Sequence, residues 1–353
     1  MKQKTKLGPL PRLLILITTE FLLVAAVIWL ADPFYQYHEP FGNMEAVLND
    51  RDNQMPGTIR NFTYDSVLVG SSVAENFDSS YLDDCYKCKT LKVIKASGSM
   101  ADLLYYLEMA HEYRELKQVF WCLDLFALDA DTEVTLYRKD IPRYLHTPTI
   151  LDDTEYLLNK EVLLMKLPYM IAAAKTGKNT GGQAYNWSEG KEFSAAKAME
   201  AYQKPEQQLG AQDFAAQKSV IAQNLEALIT EIASHPESKY IFLIPPYSMM
   251  WWDCAQVNGL LEEEFYILEQ LFPAILSYEN VEVYYFQSEK EIVCNLDLYM
   301  DMVHYAPQVN QLMLEKMVSG ENRVTADNWI DVITKMRDLV CQICEKEIYN
   351  YYK

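Results

Sequence analysis

Two short segments that lie far apart in the sequence contain the residue types of a nucleophilic hydrolase. Ser71 and Ser72 follow the apolar residues 67–69, whereas Asp301 and His304 lie near the C-terminus. A serine hydroxyl is a weak nucleophile that needs a neighbouring base, and the base needs an acid that holds its tautomer. Aspartate three residues before histidine can provide that acid from one turn. These residues predict acyl transfer from an ester, with a serine as nucleophile and His304 as base.

The serine pair is expected at the end of a strand, because residues 66–70 form a short apolar run that continues into Gly-Ser-Ser. A strand that turns into a helix at this point exposes a hydroxyl at the helix N-terminus. Free backbone N–H groups and the helix dipole favour negative charge there. The position therefore suits a nucleophile whose reaction creates an oxyanion.

The rest of the chain alternates short runs rich in β-branched and aromatic residues with longer helical patterns, which is typical of α/β proteins. Several runs are continuously apolar, as a parallel sheet buried on both faces requires. The strand candidates are Ser66–Gly70, Leu91–Ala96, Gln118–Leu125, Tyr240–Pro245 and Val281–Phe286. With right-handed crossovers, this pattern predicts a three-layer, flavodoxin-like sandwich around a parallel five-stranded sheet.

In such a sheet the loops at the carboxyl ends of the strands converge on one crevice, where ligands bind. The loop after the second strand provides residues 97–99, and the loop after the third provides Asp124. We expect the N–H groups of Ser72 and Gly98 to hold the oxyanion. The remaining histidines are interpreted as surface or internally satisfied residues, and they are His38, His111, His146 and His235.

Three short motifs carry a resemblance to a known superfamily. Gly70-Ser-Ser72 follows the first strand, Gly98 follows the second, and Asp301-Met-Val-His304 comes late in the chain. In this order and spacing the chain resembles the SGNH (GDSL-like) hydrolases, over about residues 60 to 320. The resemblance implies that Ser72, rather than Ser71, is the nucleophile.

One position departs from the pattern of this superfamily. Its members usually have an asparagine after the third strand that donates to the oxyanion, whereas this chain has Asp124. An ionised carboxylate cannot donate a hydrogen bond. Three alternatives stay open, namely a protonated Asp124, another donor such as Ser99, or a site of low activity. Asp124 could also accept hydrogen bonds from nearby backbone N–H groups.

The N-terminus predicts a membrane anchor. Residues 13–31 are apolar and long enough to cross a bilayer, and the preceding segment 1–12 is basic and expected to stay in the cytoplasm. The basic residues are Lys2, Lys4, Lys6 and Arg12. A cleavable signal peptide is the alternative, but the apolar stretch exceeds a typical signal core. We therefore expect an uncleaved anchor, a stalk at residues 32–58 and an extracytoplasmic domain at residues 59–353.

The charge balance restricts the partners. Beyond residue 31 the chain has 27 basic and 49 acidic residues, a net charge near −22. Such a charge opposes binding to nucleic acids or anionic lipids, so a nucleic-acid role is not expected. Glu20 lies inside the apolar stretch, where it either meets another membrane helix or is tolerated alone.

The anchored, outward-facing arrangement is similar to that of SGNH members related to the D-alanyl-lipoteichoic acid biosynthesis protein and to polysaccharide acyltransferase-like proteins. This resemblance implies a substrate in the cell envelope, either an acylated glycan or teichoic acid. It also implies an integral-membrane acyltransferase as partner. The alternative is an enzyme-derived binding or assembly protein with an impaired triad, which the missing asparagine makes credible.

Two further regions allow more than one interpretation. Residues 130–217 are too long for an ordinary crossover and predict a helical insertion with an apolar helix at 154–174. Its leucines could form a lid, a membrane-facing patch or a partner surface, although packing is the more frequent use. The aromatic residues Tyr247, Trp251 and Trp252 could stack on a sugar at the rim of the crevice or pack against the insertion.

The seven cysteines do not predict a metal or redox centre. Cys85 and Cys88 form one Cys-x-x-Cys pair, and Cys341 and Cys344 form another about 250 residues later. Zinc ribbons and fingers need a much shorter separation, so neither a metal nor a cofactor is expected. Cys85 and Cys88 could form a disulfide in an oxidising compartment.

Overall fold

The computed structural model describes residues 8–42, 44–139, 141–147, 149, 151–202 and 208–351. Lys2, Lys4 and Lys6 of the predicted basic segment lie outside these residues. The chain divides into two compact units. The first contains residues 1–62 and 141–180, and the second contains residues 63–140 and 181–353.

The strands are β1 Ser66–Gly70, β2 Thr90–Ile94, β3 Gln118–Cys122, β4 Lys239–Ile244, β5 Val281–Tyr285 and β6 Arg323–Val324. The helices are α1 Pro9–Ala31, α2 Arg51–Asn61, α3 Ser79–Tyr86, α4 Met100–Tyr113, α5 Phe126–Asp129, α6 Thr154–Leu157, α7 Leu167–Thr176, α8 Ala195–Glu200, α9 Ala215–Ser234, α10 Met249–Val257, α11 Leu261–Ile275, α12 Lys290–Val293, α13 Pro307–Ser319 and α14 Trp329–Glu345. A π-helical segment, Val162–Lys166, precedes α7.

The second unit is a mixed α/β structure around a six-stranded sheet in the order β2-β1-β3-β4-β5-β6. The first five strands are parallel and β6 is antiparallel to β5. All five residues of β1 are buried, and successive strand residues point to opposite faces, so both faces of the sheet are covered. The five predicted strands are present with slightly different ends. The prediction of five strands was wrong in number, because the two-residue β6 is too short to leave a sequence pattern.

The end of β1 differs from the prediction. No regular helix follows Gly70 directly, since residues 72–76 form turns and α3 begins only at Ser79, where the side chain of Asp78 caps it. The turns are closed by bonds such as Ala74 N–H to the Ser71 carbonyl, 3.0 Å. The serine pair therefore lies on a tight turn after the strand rather than at a helix N-terminus.

The predicted stalk is part of the first unit. Asp32 ends α1 with a left-handed backbone, and its buried carboxylate accepts the N–H groups of Gln36, Tyr37 and His38 at 2.7 to 3.1 Å. Tyr156 donates its hydroxyl to the same carboxylate at 2.8 Å. These bonds fold the segment back on itself, and α2 occupies its end, so residues 32–58 do not form an extended stalk.

The predicted insertion is divided between the two units. Residues 141–180 belong to the first unit, where Tyr156 and Val162 pack in a small core with Ile28, Phe34 and Leu145. The single helix predicted at 154–174 is wrong, because α6 ends at Leu157 and the π-helical segment begins only at Val162. The residues from 181 onward belong to the second unit.

Among the described residues, α1 is long and apolar enough to span a membrane, with a mean hydropathy of 2.5 over its most apolar window. Only 6% of that window is buried, so most of the helix lies outside the core, and Ile28 near its end is the residue that packs in the small core. A signal sequence satisfies the same criteria of length and composition. The anchor therefore agrees with the structure by these two measures.

Gly70 is needed because β1 passes very close to its neighbours. A Cβ atom at Gly70 would lie 2.7 Å from the Cβ of Ala74 and 3.0 Å from the carbonyl oxygen of Cys122. We expect Gly70→Ala to lower the free energy of unfolding by about 1 to 3 kcal/mol, as overpacking typically does. Denaturant unfolding of the full-length protein in detergent, followed by circular dichroism, measures this.

The matched control for this variant is Gly210→Ala. A Cβ atom at Gly210 would meet no atom within 4 Å, so we expect a change within about 0.5 kcal/mol. Equal destabilisation by the two substitutions would show that the close approach at Gly70 does not constrain the fold.

Candidate active site

The second unit brings the predicted serine, histidine and aspartate into one hydrogen-bonded chain. The hydroxyl of Ser72 lies 2.8 Å from Nε2 of His304, across 232 residues of sequence. On the other side of the ring, Nδ1 of His304 lies 2.7 Å from Oδ2 of Asp301. Both distances are in the range that nucleophile, base and acid need for proton transfer.

The loop between Tyr299 and Tyr305, which pair in an isolated antiparallel bridge, holds the acid and the base. Oδ1 of Asp301 accepts the N–H groups of Val303 and His304 at 2.9 and 2.8 Å. Burial would raise the pKa of Asp301, but hydrogen bonds from the side chain and backbone of His304 and from Val303 outweigh it and lower the pKa. The carboxylate therefore stays ionised.

An ionised Asp301 sets the tautomer of His304. Its Oδ2 can only accept, so Nδ1 carries the proton and Nε2 presents its lone pair to Ser72. Ser72 is only partly buried, whereas Ser71 is buried and its hydroxyl accepts the N–H of Val73 at 3.4 Å. Of the two serines, Ser72 is the one that the imidazole contacts.

Trp187 is a residue of the site that the sequence reasoning missed. Its indole N–H donates to the carbonyl of Ser72 at 3.0 Å, and its backbone N–H donates to Asn76 at 3.1 Å. Its ring meets His304 edge-on, with centroids 5.2 Å apart. Trp187 thus fixes both the nucleophile turn and the position of the base. Its sequence neighbourhood predicted only a helical insertion, and no local pattern signals this contact.

The two residues predicted from the second loop are engaged elsewhere. The N–H of Gly98 donates to the carbonyl of Lys95 at 2.9 Å, in a turn where Ser97 adopts φ 52°. Ser99 caps α4, because its hydroxyl accepts the N–H of Asp102 at 3.1 Å and its own N–H donates to that side chain at 3.2 Å. As the structure stands, Gly98 has no N–H to offer an oxyanion without opening this turn.

The backbone N–H of Ser72 is different. Within the described residues it meets no hydrogen-bond acceptor. It is therefore free to donate to an oxyanion formed by attack of its own hydroxyl. A second donor is needed for efficient stabilisation, since loss of one donor typically slows an acyl transfer by about 100- to 1000-fold.

Asp124 is fully buried beside this site. Tyr247 donates its hydroxyl to Oδ1 in a short hydrogen bond, and no described residue donates to Oδ2 with good geometry. Burial raises the pKa of Asp124 to about 6, although the hydroxyls of Ser71 and Tyr247 and the charge of His304 act to lower it. Near neutral pH a fraction of Asp124 is therefore protonated and able to donate.

Of the two alternatives for the aromatic group, a sugar-stacking rim does not hold for two of its members. Tyr247 and Trp252 are fully buried, and the indole N–H of Trp252 donates to Gln287 at 3.0 Å. Trp251 is partly buried, with its ring 4.9 Å from that of Tyr247. Tyr247 therefore contacts Asp124 and is not exposed at the rim.

Among the described residues, the groups that could together hold a metal ion lie away from the triad. In the part of the chain that is described, the one cluster with suitable spacing is His111, Glu231 and His235. Cys85 and Cys88 are free thiols, so the possible disulfide between them is absent.

Comparisons with known proteins identify no family. No protein-family model matches the chain, and no curated protein matches it. A solved structure from Streptococcus pneumonia, provisionally described as a platelet activating factor, is similar at 13% identity with a TM-score of 0.38. The match covers 76% of this chain and 90% of that one. Nothing about activity follows from a likeness at this level, so the chemistry must be argued from the site itself.

Substitution of Asp124 tests whether a protonated carboxyl donates to the oxyanion. The neutral form is populated below about pH 6 and is lost as the pH rises through 6. Asp124→Asn places an amide donor there at every pH. We expect the rate of labelling by a fluorophosphonate at pH 8 to rise about tenfold or more over wild type, and the two rates to converge at pH 5.

Tyr247→Phe provides the matched control. The Tyr247 hydroxyl lowers the pKa of Asp124. In Tyr247→Phe, which keeps Asp124, the pKa of the carboxyl should rise, and the labelling rate should therefore fall at a higher pH than in the wild type. A labelling rate for Asp124→Asn that never exceeds wild type across pH 5 to 9 would exclude Asp124 from oxyanion stabilisation.

Proposed function

We propose that this protein is a membrane-anchored serine esterase or acyltransferase of the SGNH type, which acts on acyl esters of a cell-envelope polymer. The observation that carries the proposal is the continuous chain of Ser72, His304 and Asp301 at hydrogen-bond distances. The parallel strand order 2-1-3-4-5 supports it, because this is the flavodoxin-like order, whose ligand crevice lies at the carboxyl ends of the strands.

The reaction begins with attack of the Ser72 hydroxyl oxygen on the ester carbonyl, while its proton passes to Nε2 of His304. The imidazolium is stabilised by Asp301, and the oxyanion by the Ser72 N–H. Collapse of the tetrahedral intermediate breaks the ester bond, and the leaving alcohol takes the proton from His304. Water or an acceptor hydroxyl then attacks the acyl-enzyme with His304 as base, the bond between the acyl group and the Ser72 oxygen breaks, and this oxygen takes the proton back from His304. Water gives hydrolysis, and an acceptor hydroxyl gives acyl transfer.

The cellular setting of the proposal follows from α1 and from the charge. An anchor with the basic segment on the cytoplasmic side would leave the catalytic unit outside the membrane. The net charge near −22 of the chain beyond residue 31 repels polyanions, so an acylated neutral glycan suits this surface better than teichoic acid without cationic substituents.

A membrane partner is part of the same proposal. Glu20 lies in the middle of α1, where an unpaired carboxyl is unfavourable in a bilayer. We infer that an integral-membrane acyltransferase packs against this face of α1 and supplies or receives the acyl group.

A second candidate is a binding or assembly protein for the same polymer with an impaired triad. Two observations favour it. The N–H of Gly98 already donates to the carbonyl of Lys95, and position 124 has a carboxylate in place of an amide donor. An acyl transfer with only one oxyanion donor would be slow.

Labelling of the full-length protein in detergent with a fluorophosphonate probe tests the proposed activity. We expect the wild type to be labelled, and Ser72→Ala and His304→Ala to lose labelling by about 1000-fold or more, because the nucleophile or its base is gone. Ser71→Ala, at the adjacent buried hydroxyl, is the matched control and should keep labelling within about tenfold.

The second candidate predicts a different result. Folded wild-type protein that reacts no faster than Ser72→Ala would exclude an activated serine and favour the binding or assembly role. Labelling that persists in Ser72→Ala but is lost in Ser71→Ala would show that Ser71, and not Ser72, is the nucleophile.

A further inference from the structure

A cavity of the first unit lies beside the end of the apolar helix. Its volume is about 670 Å³, and both α1 and α7 contribute to its wall, with Leu30 and Ala31 from α1 and Met170 and Ala174 from α7. A volume of this size is within the range of small-ligand sites, about 300 to 1,000 Å³. Most of its described lining residues are apolar, and the polar ones are His38, Glu45, Lys175 and Thr180.

The position of α1 sets the depth of this cavity. As a helix, the apolar residues 13–31 extend for about 28 Å, which matches a hydrocarbon layer of about 30 Å. With the basic segment in the cytoplasm, Ala31 lies at the outer boundary of that layer, and Leu30 and Ala31 both line the cavity. The cavity is therefore level with the outer leaflet. This placement rests on the proposed membrane anchor.

Other parts of the first unit reach the same depth. Val24, which is about 10 Å along α1 from Ala31, packs against the small core that contains Tyr156 and Val162. The helix α6 and the π-helical segment lie against α1. If α1 spans the bilayer, these elements lie beside the acyl chains of the outer leaflet. Helical backbone is compatible with lipid, because its polar groups are satisfied within the segment.

The surface around these elements is apolar although it is exposed. Two residues of the cavity wall, Phe41 and Met44, are 48% and 64% exposed. Exposed apolar side chains concentrated in one region mark a contact with a protein or a membrane. Because this region continues the apolar surface of α1, lipid is the fitting contact. Six more exposed large apolar side chains lie between residues 151 and 171, and they are Leu151, Leu158, Leu164, Met165, Tyr169 and Ile171.

The charge of the same region differs from that of the rest of the chain. Residues 162–180 include Lys166, Lys175 and Lys178 and no acidic residue, whereas the chain beyond residue 31 has a net charge near −22. Lys166 pairs with Asp50 at 2.6 Å, and Lys175 lines the cavity. Apolar residues flanked by lysines are typical of segments that lie in the membrane interface, since the lysine stems pack on lipid while the ammonium groups stay in water.

We propose that this cavity binds one acyl chain of a zwitterionic phospholipid from the outer leaflet. The apolar wall removes the chain from water. Lys175 and Glu45 both belong to the lining, so the phosphate and the ammonium of a zwitterionic headgroup can each pair with a side chain of opposite charge. Because α1 and α7 both contribute to the wall, the bound lipid would hold the two helices together at the membrane surface.

Photolabelling of the full-length protein in nanodiscs tests this site. The probe is a zwitterionic phospholipid with a diazirine near the end of one acyl chain, which loses N₂ on irradiation and forms a carbene that inserts into a nearby C–H bond. We expect adducts, located by mass spectrometry of peptides, at Leu22 in α1 and at Met44 and Met170 in the cavity. Val318, an exposed apolar residue of the second unit, should carry none.

Two matched variants separate the cavity from the outer surface of α7. Ala172 and Ala174 are both exposed on this helix, but only Ala174 is part of the cavity wall. Ala174→Glu places a carboxylate beside the acyl chain, where its desolvation is unfavourable, so the adduct at Met170 should be lost. Ala172→Glu adds the same charge and should keep that adduct. Both variants should keep the adduct at Leu22.

Three other outcomes would overturn the proposal in different ways. An adduct at Leu22 without one at Met170 would leave the cavity to a different apolar partner. Equal adducts at Met170 in wild type and in both glutamate variants would show that lipid contacts only the outer surface. Absence of an adduct at Leu22 would contradict the membrane anchor and this site with it, whereas the reactivity of Ser72 toward fluorophosphonate would be unaffected.

Discussion

The hydrogen bonds that Asp301 makes within its own loop determine the state of the proposed catalytic arrangement. Two backbone N–H groups and the imidazole of His304 keep the carboxylate ionised although burial opposes it. The ionised carboxylate fixes the proton on Nδ1, and the free Nε2 can then accept the proton of Ser72. The remaining parts of the site only have to bring Ser72 to a base that is already oriented. The strand end at Gly70 and the indole of Trp187 do this.

Local patterns allowed the sequence to predict the strands and the triad. β1 is five buried apolar residues in succession, and Asp301 and His304 interact within one turn, so both leave a compact signature. The carboxyl ends of parallel strands meet at one edge, which is why residues 232 positions apart could be assigned to one crevice.

What the sequence could not provide are contacts that depend on distant backbone. Trp187 donates to the carbonyl of Ser72, 115 residues away in the sequence. The residues around Trp187 show no helical or strand periodicity that would predict this contact. The turn that engages the Gly98 N–H depends on the left-handed backbone of Ser97, a conformation that serine adopts rarely. The sequence predicted a stalk at residues 32–58 because no local pattern shows the bonds that fold this segment. These bonds centre on Asp32 and on Tyr156, which is 124 residues away.

Burial also changes what a residue type means. An aspartate is normally an ionised acceptor near neutral pH, but burial raises the pKa of the Asp124 carboxyl to about 6. For Tyr247 the sequence left stacking on a sugar and packing as alternatives, and the structure buries it against Asp124. In both cases burial decides the behaviour of the side chain, since it changes the protonation of Asp124 and gives the Tyr247 hydroxyl a protein partner in place of solvent.

The buried carboxylate of Asp32 has a mechanical consequence for the first unit. It ties the end of α1 to the following backbone and to Tyr156, so no freely rotating segment separates the apolar helix from the small core behind it. Where α1 spans a bilayer, the helix and the small core of the first unit therefore move together as one rigid body. Any tilt of the helix, set by bilayer thickness or by a neighbouring helix, would change the height and angle at which this unit stands above the lipid.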